Sequence, residues 1–280
     1  MGILYLVSTP IGNLEDITLR ALRVLREVSL IAAEDTRTAR KLLTHHGIKQ
    51  RLVSYNEHNM RARTPALLEA LATGDVALVS EAGTPGVSDP GYELATAALS
   101  AGYEVSPVPG PAAVVAALTA SGLPMREFTF IGFLPRRSKE RRDIFAGVAG
   151  ERRTLVFFES PHRLRAALED LQSTLGERRV AVCRELTKLY EEVFRGSVSE
   201  AIEHFTEPRG EFTVVVDGAT AALPVITDDA LRVAIRELRT AGASARDAAA
   251  QVAKETGVPR RRVYALSLEA SHKSPDTSAR

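Results

Sequence analysis

Three Gly/Pro-rich stretches in this 280-residue chain could hold a small molecule: residues 8–13 (STPIGN), 80–91 (SEAGTPGVSDPG) and 107–113 (PVPGPAA). Glycine lets ligand atoms approach the backbone, and proline holds a loop in one shape. None of the three contains lysine or arginine, and none matches a Walker A or dinucleotide fingerprint. A nucleoside triphosphate, which needs a cationic cradle, is therefore disfavoured. A nucleoside without phosphates suits the loops better. S-adenosylmethionine fits, because its sulfonium tolerates no nearby cation. Two further stretches carry groups able to accept a proton or hold a polar substrate: AEDTR, with Glu34, Asp35 and Arg37, and SYNEHN, with Asn56 and His58. Asp35 reads equally as a helix cap, and His58 equally as a surface loop residue.

These groups need a scaffold that brings them together. Apolar runs predict strands at residues 3–7, 30–33, 76–79 and 104–108. Helical patterns fall at 16–28, before Gly47, from Thr64-Pro65 to Gly74, at 93–100 and at 112–121. Such alternation implies a largely parallel sheet with helices on both faces. All three loops and the AEDTR stretch then share its carboxyl edge, where α/β folds bind ligands. A second α/β domain follows, with strands at 128–133, 154–158, 180–183 and 211–216 and helices at 138–148, 161–175 and 197–205. The expected organisation is an α/β domain over 1–124 and a second, mixed-sheet α/β domain over 125–218. A small helical module spans 226–270, its helices flanking residues 257–259 at helix-turn-helix spacing. Residues 219–225 read as a loose connection and 271–280 as a disordered tail.

Formal net charge is +1, so any affinity for nucleic acid must come from local patches. Arg136, Arg137, Lys139, Arg141 and Arg142 crowd seven residues after a predicted strand and suit RNA phosphates. Arg260, Arg261 and Arg262 form another cluster, in a segment (226–280) with ten lysines and arginines against seven acids. The lone Cys183 excludes a disulfide framework and any CxxC metal site, so no metal is expected. No apolar run approaches the roughly 20 residues of a membrane span, and a cytoplasmic protein without a membrane partner is expected.

The ordered set VSTPIGNLEDIT, AAEDTR, SYNEHN, SEAGTPGVSDPG, PVPGPAA, FFESPHR, RELTK and RGEF resembles the tetrapyrrole-methylase-like (class III) methyltransferases, over residues 4–216. Within them it is similar to the bacterial branch that methylates the ribose 2′-oxygen of a cytidine in 16S ribosomal RNA of the 30S subunit. The resemblance implies a homodimer of two-domain subunits with S-adenosylmethionine in the cleft between the domains. It implies cofactor contacts from Pro10 and Gly12, from Ser80, Gly83, Thr84, Pro85 and Val87, and from Gly110, Ala112 and Ala113. Thr84 stands where most relatives carry an acid. Methyl transfer to a ribose hydroxyl needs alignment and a proton acceptor, for which Glu34, Asp35, His58 and Glu81 are candidates. Arg37, Asn56, Arg136, Arg137, Lys188 and Glu211 are substrate candidates, the last two with an alternative as domain-interface ion pairs. Two other readings compete. A tetrapyrrole-type small-molecule methylase would need neither arginine cluster nor the terminal helices. A non-catalytic nucleic-acid-binding protein would leave three phosphate-averse loops without purpose.

Overall fold

A computed structural model describes residues 2–219, 228–256 and 258–269. The chain divides into two compact units, Met1–Ala219 and Thr220–Arg280. In the first, strands β1 (Ile3–Val7), β2 (Leu30–Ala33), β3 (Leu52–Ser54), β4 (Val76–Val79) and β5 (Glu104–Val108) form an all-parallel sheet in the order β3-β2-β4-β1-β5. Two of the three interior strands, β2 and β4, are buried along their whole length, as a sheet covered on two faces requires. On one face, Val7, Ile31, Ala33 and Val79 pack under helices α1 (Leu19–Glu27) and α2 (Thr36–His45). On the other, Leu4, Ala32, Val76 and Leu78 pack under α3 (Met60–Thr73) and α4 (Tyr92–Ser100).

The next helix, α5 (Ala113–Ser121), leaves the β5 loop but does not return to that sheet. Its Val114, Ala117 and Leu118 cover Val156, Ala181, Cys183 and Val215 of the second sheet. That sheet comprises β6 (Phe128–Phe133), β7 (Thr154–Glu159), β8 (Arg179–Arg184), β9 (Glu192–Ser197) and β10 (Phe212–Val216), in the order β6-β7-β10-β8-β9. Only β6 and β7 are parallel; every other pair is antiparallel, so the sheet is mixed, as expected. Its other face packs under α6 (Ser138–Gly147), α7 (Pro161–Leu175) and α8 (Val198–His204) around Phe145, Phe157, Leu164, Leu168 and Val214.

Three local expectations are corrected. Helix α3 starts at Met60, so Thr64 and Pro65 lie inside it. The 56–59 turn already supplies the start, with Asn56 O accepting from Met60 N at 2.8 Å. Residues 14–16 form a single 3₁₀ turn, and α1 begins only after Thr18, whose hydroxyl caps Ala21 N. Edge strand β9 has no counterpart in the sequence reading. Its Glu192 and Arg195 break the apolar pattern, as suits an edge.

The second unit contains α9 (Asp228–Thr240), α10 (Ala245–Thr256) and α11 (Arg260–Glu269), closed on Leu231, Ile235, Ala249, Val252, Val263 and Leu266. Val258 and Pro259 separate α10 from α11. The proposed tail, 271–280, and nearly all of the proposed connection, 220–225, lie outside the described residues.

Candidate active site

The three loops meet at the carboxyl edge of the first sheet. Thr9 and Gly83 exchange backbone hydrogen bonds at 2.8 and 3.0 Å, forming a one-residue antiparallel bridge between the β1 and β4 loops. The hydroxyls of Ser8 and Thr84 lie 2.9 Å apart. Gly83 has φ +79°, a conformation that favours glycine, and a Cβ there would lie 3.6 Å from Ile11 Cγ2 and 4.0 Å from Pro111 O. A Cβ on Gly110 would meet Ser8 Cβ at 3.0 Å. Gly83 therefore touches both other loops. Ser80, almost fully buried, turns its hydroxyl back on the carbonyls of Ala82 and Gly83. Pro85 is buried, whereas Val87 is 43% exposed. Buried Thr9 Oγ1 makes no hydrogen bond.

Carboxylates surround this cluster. Glu34 directly follows β2, and its Oε2 accepts from Glu81 N at 3.0 Å. Burial lifts the Glu34 carboxyl above its ordinary range, and the charges of Glu81, Glu57 and Asp35 add to the effect against that hydrogen bond. Asp89 is missing from the sequence candidates. Burial pushes its carboxyl up to about 7, with the negative charge of Glu34 reinforcing the effect and a hydrogen bond from Ser80 opposing it. Its sequence signal was present in the SDPG turn of the same loop. Because the folded Asp89 holds its proton more tightly than an unfolded one, its contribution to stability is present at low pH and lost as pH rises through about 7. We expect Tm to fall between pH 5 and 8 more steeply in the parent than in Asp89→Asn. Equal slopes in scanning calorimetry would show that Asp89 does not titrate in that window.

Asp35 is differently placed. Its carboxylate caps α2 by accepting from Arg37 N and Thr38 N and also binds the Arg37 guanidinium at 3.0 Å. The Arg37 side chain, together with these backbone donors, holds it down at about 2. Both residues are thus occupied by each other. Asn56 organises its own turn, its amide donating to Ser54 Oγ and its Oδ1 accepting from His58 N. The His58 side chain is exposed, and the turn meets the acids through the neighbouring charge of Glu57.

The second sheet contributes its own loops. A Cβ on Gly12 would collide with Lys188 Cγ and sit 2.8 Å from Thr187 Oγ1, and Asn13 N donates to Thr187 Oγ1 at 3.1 Å. Lys188 Nζ bridges Glu185 at 3.0 Å and Glu211 at 2.8 Å. Lys188 and Glu211 therefore stand together where the sheets meet, as an ion-pair network whose cation is already neutralised. Gly132, at a bulge in β6, brings that strand to Ser88: a Cβ there would lie 3.4 Å from Ser88 Oγ. Cys183 lies in the core beneath α5, where burial pushes its thiol up to about 12.

The arginine cluster after β6 splits in two. Arg136 and Arg137 are exposed, Arg137 with only a 3.4 Å contact to Glu140. Arg141 is buried and binds Asp170 through Nε and Nη2 at 2.8 and 2.7 Å, while Arg142 reaches Asp170 at 3.1 Å. Of the five cations expected to meet phosphate, Arg141 is thus internal, because a buried carboxylate needs it, and Arg142 is exposed but tied to the same carboxylate. In the helical unit, Arg262 pairs with Asp228 at 2.7 Å, and Arg260 and Arg261 are exposed. Among the described residues no group of three or more His, Cys, Asp or Glu side chains could hold a metal ion, and no helix is long and apolar enough to cross a membrane.

Two α/β sheets meeting at a glycine-rich loop cluster define the class: a two-sheet α/β protein with a ligand-binding loop edge. Residues 3–202 match the family of Tetrapyrrole (Corrin/Porphyrin) Methylases, and residues 221–271 match the RsmI C-terminal HTH domain. The chain is 50% identical over 274 residues to ribosomal RNA small subunit methyltransferase I of Synechocystis, covering 96% of this chain and 98% of that one. It is 45% identical over 274 residues to the protein of the same name from Escherichia coli O157:H7, covering 96% and 95%. Among solved structures, uroporphyrin-III-C-methyltransferase from Thermus thermophilus superposes with a TM-score of 0.53 at 27% identity, covering 77% of this chain and 94% of that one. A Thermus thermophilus uroporphyrin-III C-methyltransferase complexed with S-adenosyl homocysteine shares the fold, with a TM-score of 0.56 at 22% identity over 77% and 97%. The chain belongs to the tetrapyrrole methylase family.

Proposed function

We propose that this protein is an S-adenosylmethionine-dependent methyltransferase that modifies the ribose 2′-hydroxyl of a cytidine in 16S ribosomal RNA of the small subunit. The observation that carries the reading is the similarity to ribosomal RNA methyltransferases along nearly the whole chain, helical unit included. The tetrapyrrole-type neighbours cover only 77% of it. Exposed Arg136, Arg137, Arg260 and Arg261 supply cations suited to RNA phosphates.

The loop cluster fits the cofactor by its donor set. Gly12, Gly83 and Gly110 let the loops pack closely, the unpaired Thr9 hydroxyl is a ready partner for a ligand heteroatom, and Pro10, Thr84, Pro85, Val87, Ala112 and Ala113 complete the wall. The acids Glu34, Glu81 and Asp89 favour a cationic ligand over an anionic one. When bound, S-adenosylmethionine supplies a methyl group already activated on sulfonium sulfur. The chain's own work is to align the ribose oxygen and take its proton as the O–C bond forms and the C–S bond breaks. Glu34 and Asp89, with carboxyls raised toward neutrality, suit that transfer. Asp35, held at about 2 by Arg37, is a poor acceptor and acts as a cap. His58 and Asn56 serve as a polar rim for the substrate, and Lys188 and Glu211 brace the loops. The protein works as a cytoplasmic homodimer, the exposed Leu189 and Tyr190 offering an apolar pair to a second copy.

The test is a calorimetric titration with S-adenosylmethionine followed by methyl transfer to unmethylated 30S subunits and to tetrapyrrole precursors, with light scattering for the subunit count. Binding followed by transfer to the 2′-oxygen of one 16S cytidine is expected. Transfer to a tetrapyrrole alone would sink the reading in favour of the small-molecule one.

A further inference from the structure

An open groove of about 870 Å³ lies at the amino ends of β6 and β7, the far end of the second sheet from the loop cluster. It is lined by Arg126, Glu127, Phe128, Val148, Glu151 and Arg152, among others. Its cations are not equivalent. Arg153 is held by Glu151, both by its side chain and by its backbone amide. Arg126 and Arg152 are exposed and form no ion pair among the described residues. Two uncancelled cations, Arg126 and Arg152, thus face one free carboxylate, Glu127. The walls are open where Gly147 and Gly150 stand, since a Cβ at either would meet nothing within 4 Å. Phe128, 40% exposed, presents an aromatic surface at the rim. Cations with a ring beside them suit phosphates and an unstacked base.

We propose that this groove holds the sugar–phosphate backbone of the RNA substrate at a point remote from the methylated ribose. The inference rests on the reading of the protein as an RNA methyltransferase. Strand β6 links the groove to the exposed Arg136 and Arg137 that follow its other end. Its six residues span roughly 20 Å at about 3.3 Å each. RNA phosphates would therefore meet cations at both ends of one strand, avoiding the acids beside the cofactor loops.

The test compares the parent with Arg126→Ala/Arg152→Ala and with the charge-preserving Arg126→Lys/Arg152→Lys. Affinity for unmethylated 30S subunits is measured across a salt series, together with steady-state methyl transfer and S-adenosylmethionine affinity. Losing two phosphate contacts should flatten the slope of log affinity against log salt by roughly 1.4–1.8, at about 0.7–0.9 per phosphate. KM for the subunit should rise while kcat and cofactor affinity hold, and the lysine pair should keep most of the parental slope. An alanine variant with the parental slope and KM overturns the groove assignment alone. A parent that neither binds nor methylates RNA overturns both it and the functional reading.

Discussion

Replacing Gly83 by valine should abolish S-adenosylmethionine binding while leaving the protein folded. The residue has φ +79° and lies within 4 Å of both neighbouring loops at its missing Cβ. A β-branched residue in that conformation costs about 1–3 kcal/mol, within the roughly 5–15 kcal/mol by which domains are stable. The strain is relieved most easily by rotating the backbone, which breaks the Thr9–Gly83 bridge and displaces the edge that would face the ligand. Gly83→Ala separates the two causes. Its Cβ has ordinary space, so only the φ penalty remains, and affinity should fall less. We expect no calorimetric signal for the valine variant, a measurable one for alanine, and near-parental circular dichroism for both. A folded valine variant with parental affinity would remove this loop from the cofactor site.

The second large effect concerns stability. Arg141→Ala should cost about 3–5 kcal/mol, the usual consequence of leaving a buried charge without its partner. Asp170 accepts from Ser138, from two nitrogens of Arg141 and from Arg142, with side-chain exposures of only 5% for Arg141 and 8% for Asp170. Burial pushes the Asp170 carboxyl up, but the hydrogen bonds from Ser138 and Arg141 outweigh it and hold it below its ordinary value. That contribution is therefore present above the ordinary aspartate range and lost as pH falls through the folded value. Arg136→Ala, five residues earlier, should change stability by no more than about 0.5 kcal/mol. Urea midpoints report both. Equal midpoints for the two variants would refute the internal role of Arg141.

The contrast between those arginines shows where the sequence was legible. Strand and helix periods placed β1, β2, β4, β5 and nearly all of the second sheet's elements, because a sheet buried on both faces writes itself as short apolar runs. Loop chemistry was readable too, since glycine, proline and missing cations are local properties. Side-chain partnership was not. Nothing near Arg141 in the chain announces Asp170, which lies 29 residues on, and nothing beside Asp89 announces Glu34. Asp35 could be read as either cap or base, and only its 2.7 Å bond from Arg37 N and its pairing with the guanidinium separate the roles. Pro65 misled for a related reason: proline marks a first helical turn by propensity, yet a preceding asparagine turn had already begun the helix.

Helix α5 has a consequence for how the chain is made. It belongs in order to the first sheet, yet its apolar side covers residues of β7, β8 and β10. During synthesis it emerges well before them: 94 residues separate Ser121 from Val215. At roughly 5–20 residues per second, Val114, Ala117 and Leu118 wait on the order of 5–20 s for their partners. The nascent chain thus carries an incompletely buried apolar helix through about a third of its translation, a surface for a chaperone to shield until the second sheet closes over it.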